Sequence, residues 1–316
     1  MSGAPHHEHE REAATLLRVG RAHVALSEYS NASGAFERAA ALAAEAGEPH
    51  LRVAALREVG TVRRISGCYE EAHEILTHAL ELAEQVLGSE ALEVADLLND
   101  LGILCKYAGR LEQAEPLYLR ALAILERHQG PEHADVAAVY HNLGGIEHAR
   151  GNYTAAEALA RRGVRIRERV VAADHPDLVA DKAALAAILD GAGKDEEAEA
   201  LLRDALADFE RRFGETHYEV AVNLNNLAAI LHRRGEPEAG DLYERALAIK
   251  EDLLGDAHPD LAPTLANLAA LHASAGRTAE AVVLYGRAIA ILERVVEPGH
   301  PTLVACREDR AALRPV

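Results

Sequence analysis

The chain has 316 residues, 49% of them hydrophobic and 27% charged, so it is long enough for two ordinary domains or for one elongated domain. Its 51 acidic residues outnumber the 33 basic ones and give a formal net charge of −18 at pH 7. A surface of that charge repels a phosphate backbone, which binds to clustered cations. We therefore expect no nucleic acid partner.

The cysteines and the N-terminal residues bear on the compartment. Three cysteines are too few and too far apart for a disulfide framework or a Cys-x-x-Cys metal site, which favours a reducing compartment. The first residues, MSGAPHHEHEREAA, lack the apolar core of a secretion signal. No later run approaches the ~18 apolar residues of a membrane-spanning helix. We expect a soluble, cytoplasmic protein with no membrane partner.

A glycine recurs along the chain at spacings of 42, 42, 42, 42 and 41 residues. Such self-similarity is typical of a repeat protein. Small residues follow each glycine in two columns, which lie seven residues apart and therefore on one face of a helix. The pattern predicts two closely packed helices per repeat, joined at Gly67, Gly109, Gly151, Gly193, Gly235 and Gly276.

The repeat predicts an all-α fold and its divisions in chain order. Residues 1–9 are polar and are expected to form a disordered tail. Residues 10–48 fit the repeat loosely and form a degenerate first repeat, and residues 49–299 form six further repeats. Residues 300–316 begin another unit and are expected to cap the last pair as one helix. Residues 10–316 would thus form a single solenoid of about seven helical hairpins and a capping helix.

The segment LNNLAAILHRRGEPEAGDLYERALAIKEDLLGDAHPDLA resembles the 42-residue tetratricopeptide repeat of kinesin light chains and their bacterial relatives. The resemblance covers residues 50–305. It implies a right-handed superhelix of antiparallel helix pairs, in which the first helix of each pair lines a concave groove. It also implies a protein-interaction role.

A histidine column, at spacings of 42, 42, 41 and 42 residues, raises the alternative of a metal site. Histidines of adjacent repeats should lie about one helix diameter, ~10 Å, apart, whereas a shared metal needs ligands within ~2 Å of it. Proline and acidic residues follow the column and favour helix starts instead. We expect no metal, no cofactor and no catalytic residues, and we interpret the column as helix starts at His133, His175, His217, His258 and His300.

The candidate binding residues lie on the first helix of each pair, opposite the stripe that must be core. In the fifth of the six regular repeats that face holds Val222, Asn225, Asn226, Ala229, His232 and Arg233. The equivalent positions elsewhere complete the candidate groove: Arg57, Arg64, Asn99, Lys106, His141, Asn142, His148, Ala184, Asn225, Asn226, His232, Arg233 and Asn267.

These residues predict a non-enzymatic scaffold or adaptor that binds a peptide segment in its groove. Asparagine amides both donate and accept hydrogen bonds and suit an extended backbone. The cations predict an acidic ligand, unless they only answer the helix dipole. Ala183 and Ala184 interrupt the asparagines and predict an apolar subsite, unless they only permit tight packing. A cytoplasmic peptide-signal receptor and a regulatory subunit of an enzyme complex are the alternatives.

Overall fold

A computed structural model describes residues 4–25 and 28–313 of the protein, and these residues form fifteen helices and no strand. The helices are α1 (Ala4–Ala25), α2 (Tyr29–Glu45), α3 (Pro49–Ile65), α4 (Tyr69–Leu87), α5 (Leu92–Tyr107), α6 (Leu111–Gln129), α7 (Ala134–Ala149), α8 (Tyr153–Val170), α9 (Pro176–Gly191), α10 (Asp195–Phe213), α11 (Tyr218–Arg233), α12 (Glu238–Leu254), α13 (Leu261–Ser274), α14 (Thr278–Leu292) and α15 (Pro301–Ala312).

The helices pair in chain order, and the pairs form two compact units, Met1–Gly130 and Pro131–Val316. Unit 1 contains α1 to α6, and unit 2 contains α7 to α15. In unit 2 the last helix, α15, buries Leu303 and Cys306 against the final pair, as a capping helix should. The predicted all-α architecture of seven hairpins and a final helix is confirmed. The division into one solenoid over residues 10–316 stays a prediction.

The N-terminal segment differs from the expectation. Residues 4–9, expected to belong to a disordered tail over residues 1–9, form the first turns of α1. Residues 1–3 lie outside the described residues. Polar side chains of this segment find partners, since His7 Nδ1 lies 3.3 Å from a Glu10 oxygen and His9 Nδ1 lies 3.3 Å from a Glu45 oxygen on α2. Polar composition argued for disorder because it could not show these contacts.

Each hairpin turns at the repeating glycine. Gly67 between α3 and α4 has a φ of 76°, a conformation that only glycine adopts without steric cost. The following N–H, of Cys68, then donates to the C=O of Arg63 and closes the end of α3. Glycines with φ between 71° and 77° recur at the same joint of the next repeats, so the 42-residue rhythm records a backbone requirement.

The paired helices approach closely where the sequence places its small columns. Ala72, Ala114 and Ala156, from the first column, are fully buried. A Cβ added to Gly102 would stand 2.5 Å from the Tyr118 ring, and one added to Gly60 would stand 2.5 Å from Leu76 Cγ. A large side chain of the second helix therefore fills the space that a side chain of the first helix leaves empty.

Arginines on the second helices tie neighbouring repeats together. Arg120 lies 2.6 Å from a Glu84 oxygen and donates to the C=O of Ser89 at 3.0 Å. Arg245 makes the same two contacts with Glu210, at 2.7 Å, and with the C=O of Glu215. In α10 the equivalent residue is Asp204, which is exposed. One arginine of this column is thus missing from unit 2.

The histidine column starts helices, as predicted. His133, His175 and His217 are the N-cap residues of α7, α9 and α11, and Nδ1 of each accepts a hydrogen bond from the N–H two residues later at 3.2 to 3.3 Å. His258 accepts from the Asp260 N–H at 3.2 Å, and His300 is the N-cap residue of α15. The imidazole therefore serves as the acceptor that Ser or Asp usually provides.

Asp204→Arg should raise the thermal midpoint. The new guanidinium would restore the inter-repeat contact of Arg120 and Arg245, and exposed pairs of this kind contribute about 0.2–1 kcal/mol, which corresponds to about 0.3–1.5 °C here. Calorimetry of the variant checks this. Asp204→Asn is the control, because it removes the carboxylate without supplying a guanidinium. An equal gain from both substitutions would show that the restored contact is not the cause.

Lowering the pH should destabilise the fold at the His217 cap. Burial lowers the pKa of His217 below its ordinary value of 6.5, and Nδ1 accepts a hydrogen bond only when it is unprotonated. The unfolded chain therefore binds the proton more readily, so the contribution is complete above about pH 6.5 and is lost as pH falls through the folded-state pKa.

His217→Asn should lose less thermal stability between pH 7 and pH 5 than the wild type, because asparagine caps without titrating. Thermal melts at the two pH values measure the difference. His128→Asn, at an exposed position on α6, should keep the wild-type loss. A wild-type loss in His217→Asn would contradict the assignment.

Candidate functional site

The first helix of each pair in unit 2 exposes a single face. On α11, between Val220 and Leu231, every residue is buried except Val222, Asn226 and Ala229. These three share one side of the helix with Glu219 and Arg233, which lie at its two ends. We call this side, together with its equivalents on α7, α9 and α13, the open face of unit 2. It is the side that the sequence assigns to ligand binding.

The open face of α9 carries only methyl groups along its middle. Ala180, Ala184 and Ala187 are half-buried there, and the polar end residues are Asp177 and Asp190. Ala183, which was expected beside Ala184, is instead buried in a core cluster with Val179 and Phe209. The predicted interruption of the asparagines is therefore made by the single row Ala180, Ala184 and Ala187, with Ala184 at its centre.

The asparagines of unit 2 hydrogen bond to one another. Asn225 is buried; its Nδ2 donates to Asn226 Oδ1 at 3.3 Å, and its Oδ1 accepts from Asn267 Nδ2 at 3.2 Å. Among the described residues, no partner uses Asn226 Nδ2 or Asn267 Oδ1, so both keep hydrogen-bonding capacity on the open face. Asn142 is half-buried on the same face of α7. The ladder therefore offers a ligand fewer amide groups than its sequence count, but these are held in place.

Two of the cations that the sequence places in the candidate groove are neutralised within the protein. In unit 1, Arg57 Nε donates to Asp100 at 2.6 Å and its Nη1 to Asp96 at 2.8 Å. In unit 2, Arg233 bonds to Asp190 and lies 3.1 Å from Asp195. The acids come from the adjoining helices, a relation that the stripe analysis of single helices does not include.

Two other cations of unit 1 have no carboxylate partner in the described part of the chain. The Arg64 guanidinium lies 5.5 Å from the centre of the Tyr107 ring, which is 39% exposed. Lys106 is half-buried, and this burial lowers its pKa. Asn99 is half-buried two turns before Lys106 on the same helix. We call the equivalent side of α3 and α5 the open face of unit 1. Among the described residues, Arg64 and Lys106 are basic residues of this face without a carboxylate partner, and Tyr107 lies beside Arg64.

The predicted histidines of unit 2 each contact a neighbouring group. His232 Nε2 lies 3.2 Å from Ser274 Oγ, and burial together with Arg233 lowers its pKa, so the ring is neutral at pH 7. The His148 ring meets the Tyr153 ring at 5.6 Å in an edge-on arrangement. His141 Nδ1 lies 2.9 Å from Asp181 Oδ1. These rings therefore add hydrogen-bonding and aromatic groups to the face.

A buried ionic group beneath the open face was missed by the sequence analysis. Arg167 Nε donates to Asp181 Oδ2 at 2.9 Å, and both side chains are 6% exposed. A signal was available, since the equivalent repeat positions hold Leu125 and Phe209 for Arg167, and Leu97 and Val139 for Asp181. A polar residue in an apolar repeat column indicates a partnered, buried charge.

Glu219 on the open face of α11 was also missed. Burial raises the pKa of its carboxyl, an effect that His141 partly offsets. Among the residues that the structure describes, none donates a hydrogen bond to this carboxylate. It differs in this from Asp260, which accepts from Tyr218 Oη at 2.8 Å.

The described residues form neither a metal-ligand cluster nor a membrane-spanning helix. Over residues 4–25 and 28–313, no three His, Cys, Asp or Glu side chains come together as metal ligands. In the same ranges no helix has both the length and the apolar character that crossing a bilayer requires. The expectation that the protein needs no metal or cofactor stays a prediction.

Comparison with solved structures finds helical repeat proteins. The Rap conjugation gene regulator of plasmid pLS20, in complex with the Phr* peptide, is 19% identical over 89% of this chain and 73% of that chain, with a TM-score of 0.69. A Rap protein complexed with competence and sporulation factor is 13% identical over 96% and 98%, with a TM-score of 0.60. The repeats of a putative kinesin light chain from Podospora anserina are 24% identical over 64% and 95%, with a TM-score of 0.49.

Comparison with protein families is more specific. No curated protein matches the chain in sequence. The tetratricopeptide repeat family matches residues 51–127, 135–211 and 219–294, well over half of the chain. These boundaries follow the hairpins from α3 to α14 and agree with the predicted family. The chain belongs to the tetratricopeptide repeat family.

Proposed function

We propose that the protein is a non-enzymatic scaffold or adaptor that binds a peptide segment on the open faces of its first helices. The observation that carries the proposal is the pair Asn226 and Asn267 on the neighbouring helices α11 and α13, whose amides keep hydrogen-bonding capacity that no described residue uses. The helix α11 also neighbours the methyl groups of α9. Fixed amides suit the C=O and N–H groups of an extended chain whatever its side chains. The repeats support a protein-interaction role in general terms.

The acidic character of the ligand rests on unit 1 alone. Arg64 and Lys106 have no carboxylate partner among the described residues, whereas Arg57 already pairs with Asp96 and Asp100. An Asp or Glu side chain of the ligand would complete the charge of Arg64 and Lys106 and relieve the cost of burying the lysine. Tyr107 beside Arg64 supplies an apolar surface for a neighbouring side chain.

A peptide-signal receptor is the second candidate, favoured by two neighbours of the same fold. One is a Rap regulator in complex with the Phr* peptide, and the other is a Rap protein complexed with competence and sporulation factor. Both candidates share the peptide-binding step and the cytoplasmic location that we propose. They differ in whether binding changes a second surface, as would also hold for a regulatory subunit.

Ala187→Arg should abolish peptide binding. The new side chain would cover the methyl floor of α9, while a half-exposed position tolerates it within about 0.5 kcal/mol. The probe is a random pool of labelled heptapeptides, since seven extended residues span about 23 Å, or two repeats. We expect retention of the pool to fall at least about tenfold.

The matched control is Ala200→Arg on the exposed side of α10, in the same hairpin. It should retain the pool like the wild type, and both variants should melt near the wild-type temperature. Equal retention by wild type and Ala187→Arg would refute the proposed site. No retention by the wild type would refute peptide binding by this face.

The double variant Arg64→Ala and Lys106→Ala should weaken binding of heptapeptides with a fixed central Glu and reduce its salt dependence. Exposed charges act over a Debye length of about 8 Å in physiological salt, so loss of both cations removes most of the electrostatic attraction. Fluorescence polarisation at two salt concentrations measures it.

The control double variant is Arg11→Ala and Arg38→Ala, which removes the same charge from exposed positions on α1 and α2. It should bind the Glu pool like the wild type. Unchanged affinity in the first double variant would remove the basis for an acidic ligand.

A further inference from the structure

Unit 2 has a different charge balance on its open face from unit 1. Arg233, at the C-terminal end of α11, is paired with Asp190 and Asp195, so its charge is already neutralised within the protein. At the other end of the face, Asp177 and Glu219 lie in the first turns of α9 and α11, and Asp260 is the N-cap residue of α13. Asp177 lies 3.4 Å from Arg167, and Asp260 accepts from Tyr218. Glu219 alone of these three has no donor in the described part of the chain.

Glu219 stands at the edge of the alanine strip. On α11 it shares its side of the helix with Val222 and Asn226. The neighbouring helix α9 presents only Ala180, Ala184 and Ala187 along the middle of the same face. Since Glu219 precedes Val222 by one turn, as Asp177 precedes Ala180, its carboxylate stands at the end of the strip where α9 and α11 begin. Burial raises the pKa of Glu219, and His141 on α7 lowers it by a smaller amount.

The imidazole does not satisfy this carboxylate. Nδ1 of His141 lies 2.9 Å from Asp181, whose other oxygen accepts from the buried Arg167. The buried charge of Arg167 is therefore already paired with Asp181. Glu219 remains a half-buried carboxylate without a hydrogen bond, which is an unfavourable state in the absence of a ligand.

The strip and the carboxylate together define the chemistry of a fitting side chain. Lysine and arginine carry an apolar stem of three or four methylene groups and a cationic head. The stem fits the methyl groups of α9, and the head can donate to Glu219. A leucine covers the strip but shuts water away from Glu219 without replacing it, and a glutamate is repelled by it.

We propose that the open face of unit 2 selects a lysine or arginine side chain of the bound peptide, with its stem on Ala180, Ala184 and Ala187 and its cationic head on Glu219. This inference rests on the proposed peptide-binding function and names the residue that gives it specificity. It replaces the purely apolar subsite that the alanine column alone predicts. The acidic residue proposed for unit 1 is a separate part of the ligand.

The test uses the full chain and five pools of acetylated, amidated heptapeptides, whose central residue is fixed as Lys, Arg, Glu, Leu or Gln and whose other residues are random. The blocked ends remove terminal charges. Competition against a labelled random pool gives a relative affinity for each. We expect the wild type to prefer the Lys and Arg pools to the Gln and Leu pools by at least about fivefold.

Glu219→Gln should remove this preference and Glu219→Lys should turn it toward the Glu pool. The matched control is Glu244→Gln, at an exposed position on α12, which changes the net charge equally and should keep the preference. A preference that survives in Glu219→Gln, or that disappears in Glu244→Gln, overturns the inference. Thermal melts of all variants identify any that fail to fold, and the reversed preference of Glu219→Lys provides a second, independent outcome.

The outcomes separate this inference from the proposed function. A wild type that retains all five pools equally, or prefers Leu, binds peptides without the proposed selection, so only the inference fails. A wild type that retains no pool contradicts peptide binding itself and the inference with it. An acid that served only the dipole of α11 would change the melting temperature in Glu219→Gln and leave the order of the pools unchanged, which also overturns the inference.

Discussion

The contact on which the rest of the structure depends is the packing of one large side chain against a missing one. Tyr118 of α6 occupies the space above Gly102 of α5, and Leu76 of α4 occupies the space above Gly60 of α3. In these two pairs the helices can approach this closely because the position lacks a Cβ, and in the pairs of α9, α11 and α13 the same position is a fully buried alanine. With one side covered by its partner and two by its neighbours, a first helix such as α11 keeps one narrow open face. That restriction locates the candidate site.

The second constraint is the treatment of charge next to that face. Arg167 and Asp181 are buried at repeat positions that Leu125 and Phe209, and Leu97 and Val139, occupy in other repeats. Lys250 occupies the same repeat position as Arg167, but its Nζ bonds to the Asp260 C=O and to Thr264 Oγ1, both at 3.1 Å. Burial lowers the pKa of Lys250, since no carboxylate compensates for it fully. Replacement by apolar residues is often neutral for stability, so these groups argue for positional specificity more than for added stability.

The open faces differ because the same kinds of residue are partnered differently. Arg57 and Arg233 were expected to attract a ligand, yet acids from adjoining helices already pair with them. Arg64, Lys106 and Glu219 have no oppositely charged hydrogen-bond partner among the described residues. A ligand gains most from charges that the protein has not itself neutralised, so the relevant count is of unpaired groups and not of charged residues.

The sequence by itself determined the period, the hairpins, the capping helix and the side of each first helix that stays open. These features depend on backbone requirements and on residue size, such as the positive φ of Gly67, which act locally and repeat with the chain. It also determined the role of the histidine column, because an N-cap is defined by the two residues that follow it. The first turns of α1 were missed because their partners, such as Glu45, lie on another helix.

Only the tertiary structure decided which polar groups of the open face are available. Asn225 is consumed by Asn226 and Asn267, and Ala183 is in the core while Ala184 is not. The bond between Asn225 and Asn267 joins residues 42 positions apart, and the burial of Ala183 depends on its packing against Phe209 of the next helix, so neither outcome is encoded in helical spacing. Electrostatic partners are chosen in space because the interaction energy depends on the separation of the charges and on their burial, and neither quantity can be obtained from the order of residues along the chain.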